Sequence, residues 1–220
     1  MKRIQFCLLF ILLASVSPAQ HPPFWNDIQA FKIKDSISMP VAHQVLFAGS
    51  SSFTFWTDVQ EYFPSVPILN RGFGGSSLLD LIRYKEEVLF AYNPKQIVLY
   101  CGENDFAASD TVSVETVIKR FKLLFTLVRR RYSNIPFAYV SMKPSPSRQH
   151  LMPKFESANN QIKIFLGKHR KTAFIDVYHK MLNPDGSPMA DIFGPDKLHM
   201  NAKGYAIWQK EIAPHLLNNK

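Results

Sequence analysis

From Val45 onward, short apolar runs alternate with longer segments in which apolar residues recur every three or four positions. The runs are 45–48, 68–69, 97–101, 137–140 and 173–177. They lack the every-second-residue alternation of a strand with one wet face, so they predict strands buried on both faces, as in a parallel sheet. The clearest helix is predicted over 114–131, where Val114, Val117, Ile118, Phe121, Leu124, Phe125 and Val128 form one apolar stripe. Further helices are predicted over 53–62, 78–91, 155–168 and 203–217, with Phe55, Trp56 and Tyr62 packing as core beneath the first of them. Strand alternating with helix predicts an α/β domain: three α/β/α layers, a parallel sheet of about five strands and right-handed crossovers.

The first 44 residues follow other patterns. Met1-Lys2-Arg3 precede a run to Leu13 that is apolar except for Gln5, and small and polar residues follow to Gln20. A charged start, a short apolar run and a small-residue region with Ser17 and Ala19 suitably placed read as a secretory signal peptide. The run is shorter than the about 20 residues a spanning helix needs, so no stable membrane anchor is expected. The expected organisation is a signal peptide over 1–19, a lead-in rich in Pro and aromatics over 20–44 where function is not expected to reside, and one domain over 45–220. The protein is therefore expected to be exported, periplasmic or secreted. Cleavage would remove Cys7 and leave Cys101, which cannot form an internal disulfide, so the fold must rest on its core.

Charge changes the picture little. The formal net charge is +9, of which Lys2 and Arg3 leave with the signal. The densest basic runs, Arg129-Arg130-Arg131 and Lys168-His169-Arg170-Lys171, close predicted helices. Cations there meet the negative end of the helix dipole, so no nucleic-acid partner is expected.

In open parallel sheets, ligands bind beyond the carboxyl ends of the strands. Three successive predicted strands end in chemistry of that kind: Gly49-Ser50-Ser51-Ser52, Asn70-Arg71-Gly72-Phe73-Gly74-Gly75 and Gly102-Glu103-Asn104-Asp105. A serine becomes a nucleophile only when a base takes its proton and a third group orients that base. Of His21, His43, His150, His169, His179, His199 and His215, His199 is singled out by the acid three residues before it, Asp196, in a turn bounded by Gly194-Pro195. Taken alone, Asp-x-x-His is a weak signal that a surface pair explains better. Donors for a developing oxyanion are the backbone N–H groups of Ser51 and Gly75 and the side-chain amide of Asn104, although each of these residues could equally turn or cap a loop. The segment 141–148 follows the fourth strand, is stiffened by Pro144 and Pro146, and carries Lys143 and Arg148, which are candidates to steer substrate. No His and Cys cluster has metal-ligand spacing, and neither phosphate-loop glycine pattern follows the first strand, so no metal or cofactor is expected. Cys101 ends a buried strand with no basic partner fixed beside it, which speaks for burial rather than thiol catalysis.

Taken together and in order, these blocks resemble the SGNH hydrolases, the GDSL-like lipases and acylhydrolases. Phe47-Ala48-Gly49-Ser50-Ser51-Ser52 is similar to the family's G-D-S-L and aligns Ser51 with its nucleophile. Gly75 and Asn104 match the glycine and asparagine of the second and third blocks, and Asp196 and His199 match the D-x-x-H of the last. The likeness runs from about Val45 to Trp208. It departs at Ser50, where the family more often has Asp, and that Asp is not the triad acid. The resemblance implies a flavodoxin-like three-layer fold and metal-free ester hydrolysis through an acyl-enzyme, with Ser51, Asp196 and His199 as triad. A small-molecule, glycan or lipid ester would be the substrate, short acyl groups such as acetyl being favoured. The competing expectation is a catalytically silent carbohydrate- or lipid-binding protein on the same scaffold.

Overall fold

The computed structural model describes residues 21–218; the expected signal peptide lies outside them. Five strands form one parallel sheet: β1 (Val45–Gly49), β2 (Ile68–Gly72), β3 (Gln96–Tyr100), β4 (Phe137–Val140) and β5 (Thr172–Ile175), in the order β2-β1-β3-β4-β5. The continuous apolar runs have a direct cause here. Leu46 and Ala48 of β1 face one core while Val45 and Phe47 face the other, and Ile97 and Leu99 of β3 are likewise separated from Val98 and Tyr100. With both faces dry, these positions favour apolar residues, and the one polar residue of β3, Gln96, is buried with its amide paired to the backbone of His215 and Leu217.

One layer comprises α1 (Trp25–Ile37), α4 (Leu78–Arg83), α6 (Val114–Arg131) and α7 (Met152–Gly167). The other comprises α2 (Ser51–Thr54), α3 (Val59–Tyr62) and α8 (Ala202–Ile212). Helix α6 buries Val117, Ile118, Phe121, Leu124, Phe125 and Val128 of the predicted stripe, each such side chain contributing about 1.5–3 kcal/mol when removed from water. Ser113 caps it by accepting from the Thr116 N–H. At its far end Arg129 stacks on Phe125 and donates to the carbonyls of Ile135 and Arg170, so the two basic runs meet at helix ends, as their helix-terminal positions suggest.

Several boundaries differ from the expected ones. The helix expected over 53–62 is two short turns, because Trp56 leaves the helix to fill the core, stacked on Tyr205 with ring centroids 4.8 Å apart. That break releases Phe55, expected as core, to the surface, where it is 54 % exposed. The helix expected over 78–91 is interrupted at Tyr84 and resumes as a π-helical segment over Glu86–Phe90. Pro214 ends α8 in a 3-10 turn. Strand β2 runs three residues further than its apolar pair. Its polar Arg71 is accommodated by an ion pair to Asp35 of α1 and a hydrogen bond to Tyr92. The lead-in thus contains a helix riveted to the sheet edge.

The strand order reverses between β1 and β3. From β1 the chain moves one way to β2, then crosses back to lay β3 on the other side of β1. The loops leaving β1 and β3 diverge at their carboxyl ends, which opens a crevice between them. Ser51 follows β1 and Asn104 follows β3.

Candidate active site

Gly49 ends β1 with φ of 151°, and a Cβ there would sit 1.9 Å from the Tyr100 carbonyl oxygen of β3. Only glycine lets the chain pass that strand and turn at once into α2, whose first residue is Ser51. Tyr205 of α8 donates to the Ser52 carbonyl at 2.9 Å and holds this turn from the far layer. Gly75, at φ of 82°, follows β2, and a Cβ there would meet the Phe24 ring of the lead-in at 3.6 Å. The lead-in, where function was not expected to reside, thus packs its Phe24 beside the glycine that follows β2.

Asn104 lies in α5 (Glu103–Ala107), beside Asp105, which is buried. Burial raises the Asp105 carboxyl pKa, opposed by the Leu78 N–H at 2.9 Å and Arg120 at 2.8 Å. These contacts tie α5 to α4 and α6 and give Asn104 a rigid base. Its Nδ2 donates to Ser50 Oγ at 2.7 Å and to the Ser76 carbonyl at 3.0 Å, while its Oδ1 accepts from Arg148 at 2.8 Å.

Asp196 and His199 sit in a loop closed by an antiparallel bridge between Phe193 and Met200 and by a hydrogen bond from the Gly194 N–H to the His199 carbonyl. Asp196 Oδ1 accepts from the backbone N–H groups of Leu198 and His199, both at 3.0 Å, and Oδ2 lies 2.5 Å from His199 Nδ1. Those backbone donors, followed by the imidazole, hold the carboxyl at about 2, down from its ordinary 3.8, so it is a carboxylate throughout the working range. With Nδ1 committed to Asp196, Nε2 remains for a serine proton. The Phe55 ring meets the imidazole edge-on, centroids 4.6 Å apart.

An open cleft of about 380 Å³ is lined by Ser51, Phe55, Gly74, Gly75, Asn104, Arg148, Leu198 and His199. Ser51, Gly75, Asn104, Arg148 and His199, far apart in sequence, thus share one wall of space, and Asp196 backs it from behind His199. Lys143 does not join them. It is 1 % exposed and its ammonium lies 3.1 Å from the Glu103 carboxylate, so the expected steering of substrate by Lys143 gives way to a buried ion pair. Phe55, expected as core rather than as a ligand contact, lines the cleft instead; its spacing of four from Ser51 places both on one side of a helical turn. Asp176-x-x-His179 is a second pair of the same spacing, so His199 is not alone in having such an acid. Cys101 is buried against the Ser76 carbonyl, and burial pushes its thiol pKa well up, which suits packing rather than nucleophilic attack. Among the described residues no group of three or more His, Cys, Asp and Glu side chains is placed to hold a metal ion.

The chain matches the model of the GDSL-like Lipase/Acylhydrolase family over residues 35–207. It belongs to that family. The GDSL-like chain is accordingly a carboxylic ester hydrolase whose substrates are small-molecule esters. Its fold is similar to those of solved structures. A protein of Streptococcus pneumonia assigned as a platelet activating factor superimposes with a TM-score of 0.76 at 22 % identity, covering 87 % of this chain and 92 % of its own. A GDSL-like lipase of Bacteroides thetaiotaomicron gives 0.73 at 19 % identity, covering 85 % and 95 %. A carbohydrate esterase family 3 member from Talaromyces cellulolyticus gives 0.64 at 16 %, covering 78 % and 95 %. No curated protein matches the sequence significantly.

Proposed function

We propose that this hydrolase is an exported serine esterase that removes short acyl groups, foremost acetyl, from carbohydrates. The observation that carries the reading is the convergence of Ser51, Asn104 and the Asp196–His199 pair on one cleft. Ser51 Oγ attacks the ester carbonyl as its proton passes to His199 Nε2, and Asp196 stabilises the imidazolium. Negative charge on the carbonyl oxygen meets the N–H groups of Ser51 and Gly75 and the Asn104 amide. The tetrahedral adduct collapses, its C–O bond breaks, and the alcohol leaves with the proton from His199. Water then attacks the acyl-enzyme by the same route, returning the acid and the free serine.

Two features favour a short acyl group on a sugar. The cleft is open and offers only Phe55 and Leu198 as apolar walls, which suits a small acyl chain better than a long one. Phe55 presents a half-exposed aromatic face beside the imidazole, a surface on which a sugar ring can stack. The likeness to a carbohydrate esterase points the same way. Export rests on the pattern of residues 1–19, and among the described residues no helix is long and apolar enough to cross a membrane.

The test uses the mature chain with p-nitrophenyl esters of graded length and a panel of acetylated sugars. Acetyl esters should be hydrolysed fastest, and a fluorophosphonate probe should add to the Ser51 peptide and not to those of Ser51→Ala. An adduct on another serine, or full turnover by Ser51→Ala, would sink the assignment and favour a silent binding protein.

A further inference from the structure

We propose that Arg148 is the positioning residue of the oxyanion donor Asn104, and that the buried Glu103–Lys143 pair holds Arg148 to that task. The proposal rests on the serine-esterase reading above. One guanidinium bridges two neighbouring residues of α5: Nη1 donates to Glu103 Oε2 at 3.2 Å and Nη2 to Asn104 Oδ1 at 2.8 Å. Glu103 is 5 % exposed and also takes the Lys143 ammonium, at 3.1 and 3.3 Å. Two cations thus share one carboxylate, leaving a surplus of positive charge beneath the amide.

Arginine carries donors only, so the end of Asn104 that faces it must be the oxygen. Fixing Oδ1 fixes the nitrogen on the opposite side, where the Ser76 carbonyl takes one hydrogen and Ser50 Oγ the other. Ser50 precedes Ser51 and stands where the family usually has Asp. Its hydroxyl is a neutral acceptor, and a hydrogen bond to a charged oxygen is roughly twice as strong. The hydrogen resting on Ser50 therefore transfers its allegiance only when negative charge develops beside it, which is stabilisation confined to the transition state. A cation on the amide oxygen also polarises the group and strengthens the N–H as donor. This gives Lys143 a role beneath the site and Arg148 a role in its wall, in place of steering substrate.

The experiment compares Arg148→Ala, Asn104→Ala and their combination on neutral p-nitrophenyl acetate. Arg148→Ala should lower kcat about 10- to 100-fold with KM little changed, and the double variant should be no slower than Asn104→Ala alone, because the two residues act as one unit. Millimolar guanidinium should restore part of the loss in Arg148→Ala and none in the double variant. Arg148→Lys, which keeps a charge for Glu103 but loses the fork, guards against misfolding and should fall between wild type and Arg148→Ala. Additive losses, or an unchanged kcat on this ester with a raised KM on anionic or sugar esters, would overturn the proposal and make Arg148 a substrate contact. Inactive Ser51→Ala and Asn104→Ala beside a fully active Arg148→Ala would refute only this inference, whereas an active Ser51→Ala would refute the reading beneath it.

Discussion

The molecule carries the same Asp-x-x-His device twice. In both, the backbone N–H of the histidine donates to Oδ1 of the aspartate, at 3.0 Å for Asp196–His199 and 3.2 Å for Asp176–His179. In both, ring Nδ1 meets Oδ2, at 2.5 and 2.7 Å. What differs is the surroundings. Asp176 follows β5, the edge strand, two places from β3, and the hollow beside it is about 20 Å³, lined by Glu156, Asn159, Asn160, Lys163, Phe174 and Tyr178 with no serine, threonine or cysteine. Asp196 lies in the loop before α8, whose Tyr205 reaches across to α2, and its imidazole opens onto Ser51. His179 is also more exposed than His199, 57 % against 28 %. A spacing that makes a local hydrogen bond does not by itself make a catalytic base; on the proposed reading, a serine sharing its cleft at the strand-order reversal does.

The sharpest way to break this contrast is to delete each base. His199→Ala should lower initial rates on p-nitrophenyl acetate by about 10³-fold or more, while His179→Ala stays within about twofold of wild type. Reversed sensitivities would move the active site to β5. Next in size, Asp196→Asn should cost on the order of 10²- to 10⁴-fold in kcat by removing the charge that orients the imidazole, against no measurable loss for Asp176→Asn. Equal losses in steady-state assays would mean that the carboxylates act through folding.

Phe55 sharpens the comparison at smaller scale, because His179 rests against its own neighbour Tyr178 beside a hollow of only about 20 Å³. Phe55→Ala should raise KM for acetylated sugars about 2- to 10-fold, the worth of one aromatic contact, with a lesser change for p-nitrophenyl acetate. A larger fall in kcat than in sugar affinity would show that the ring serves His199 instead.

The smallest effect is on stability. The Asp196 pKa is depressed in the fold, so its contribution is present above about pH 4 and is lost as pH falls towards about 2. The side chain is half exposed and solvent screens it, so Asp196→Asn should move the midpoint of thermal unfolding at neutral pH by no more than a few degrees. The difference from wild type should vanish near pH 2. A gap that persists there, in calorimetry across pH, would show that the carboxyl stabilises the loop without its charge.

Much of the architecture was legible in the chain because its signals are local and repeated. The unbroken apolar runs of β1 and β3 and the seven-residue stripe of α6 each point to one kind of element, and the structure contains them. Helix ends were less legible. Whether 53–62 continues as one helix depends on Trp56, whose preference for a core it shares with Tyr205, about 150 residues away, outweighs its helical propensity. The buried Arg71 and Lys143 were equally hidden, since a lone cation reads as surface until its partner, Asp35 or Glu103, is known to lie beside it.

The sequence by itself determined the order of strands and helices, the family, and the residue types offered at each strand end, because periodicity and short motifs are properties of neighbours along the chain. Only the tertiary structure decided which of two similar pairs shares a cleft with a serine, that Phe55 lies at the surface against the imidazole, and that Arg148 spends its guanidinium on Asn104 and Glu103. Those outcomes depend on strand order and on burial. Both arise from packing segments remote in sequence, where the free energy of a polar group is set by the partner it meets rather than by the residues beside it.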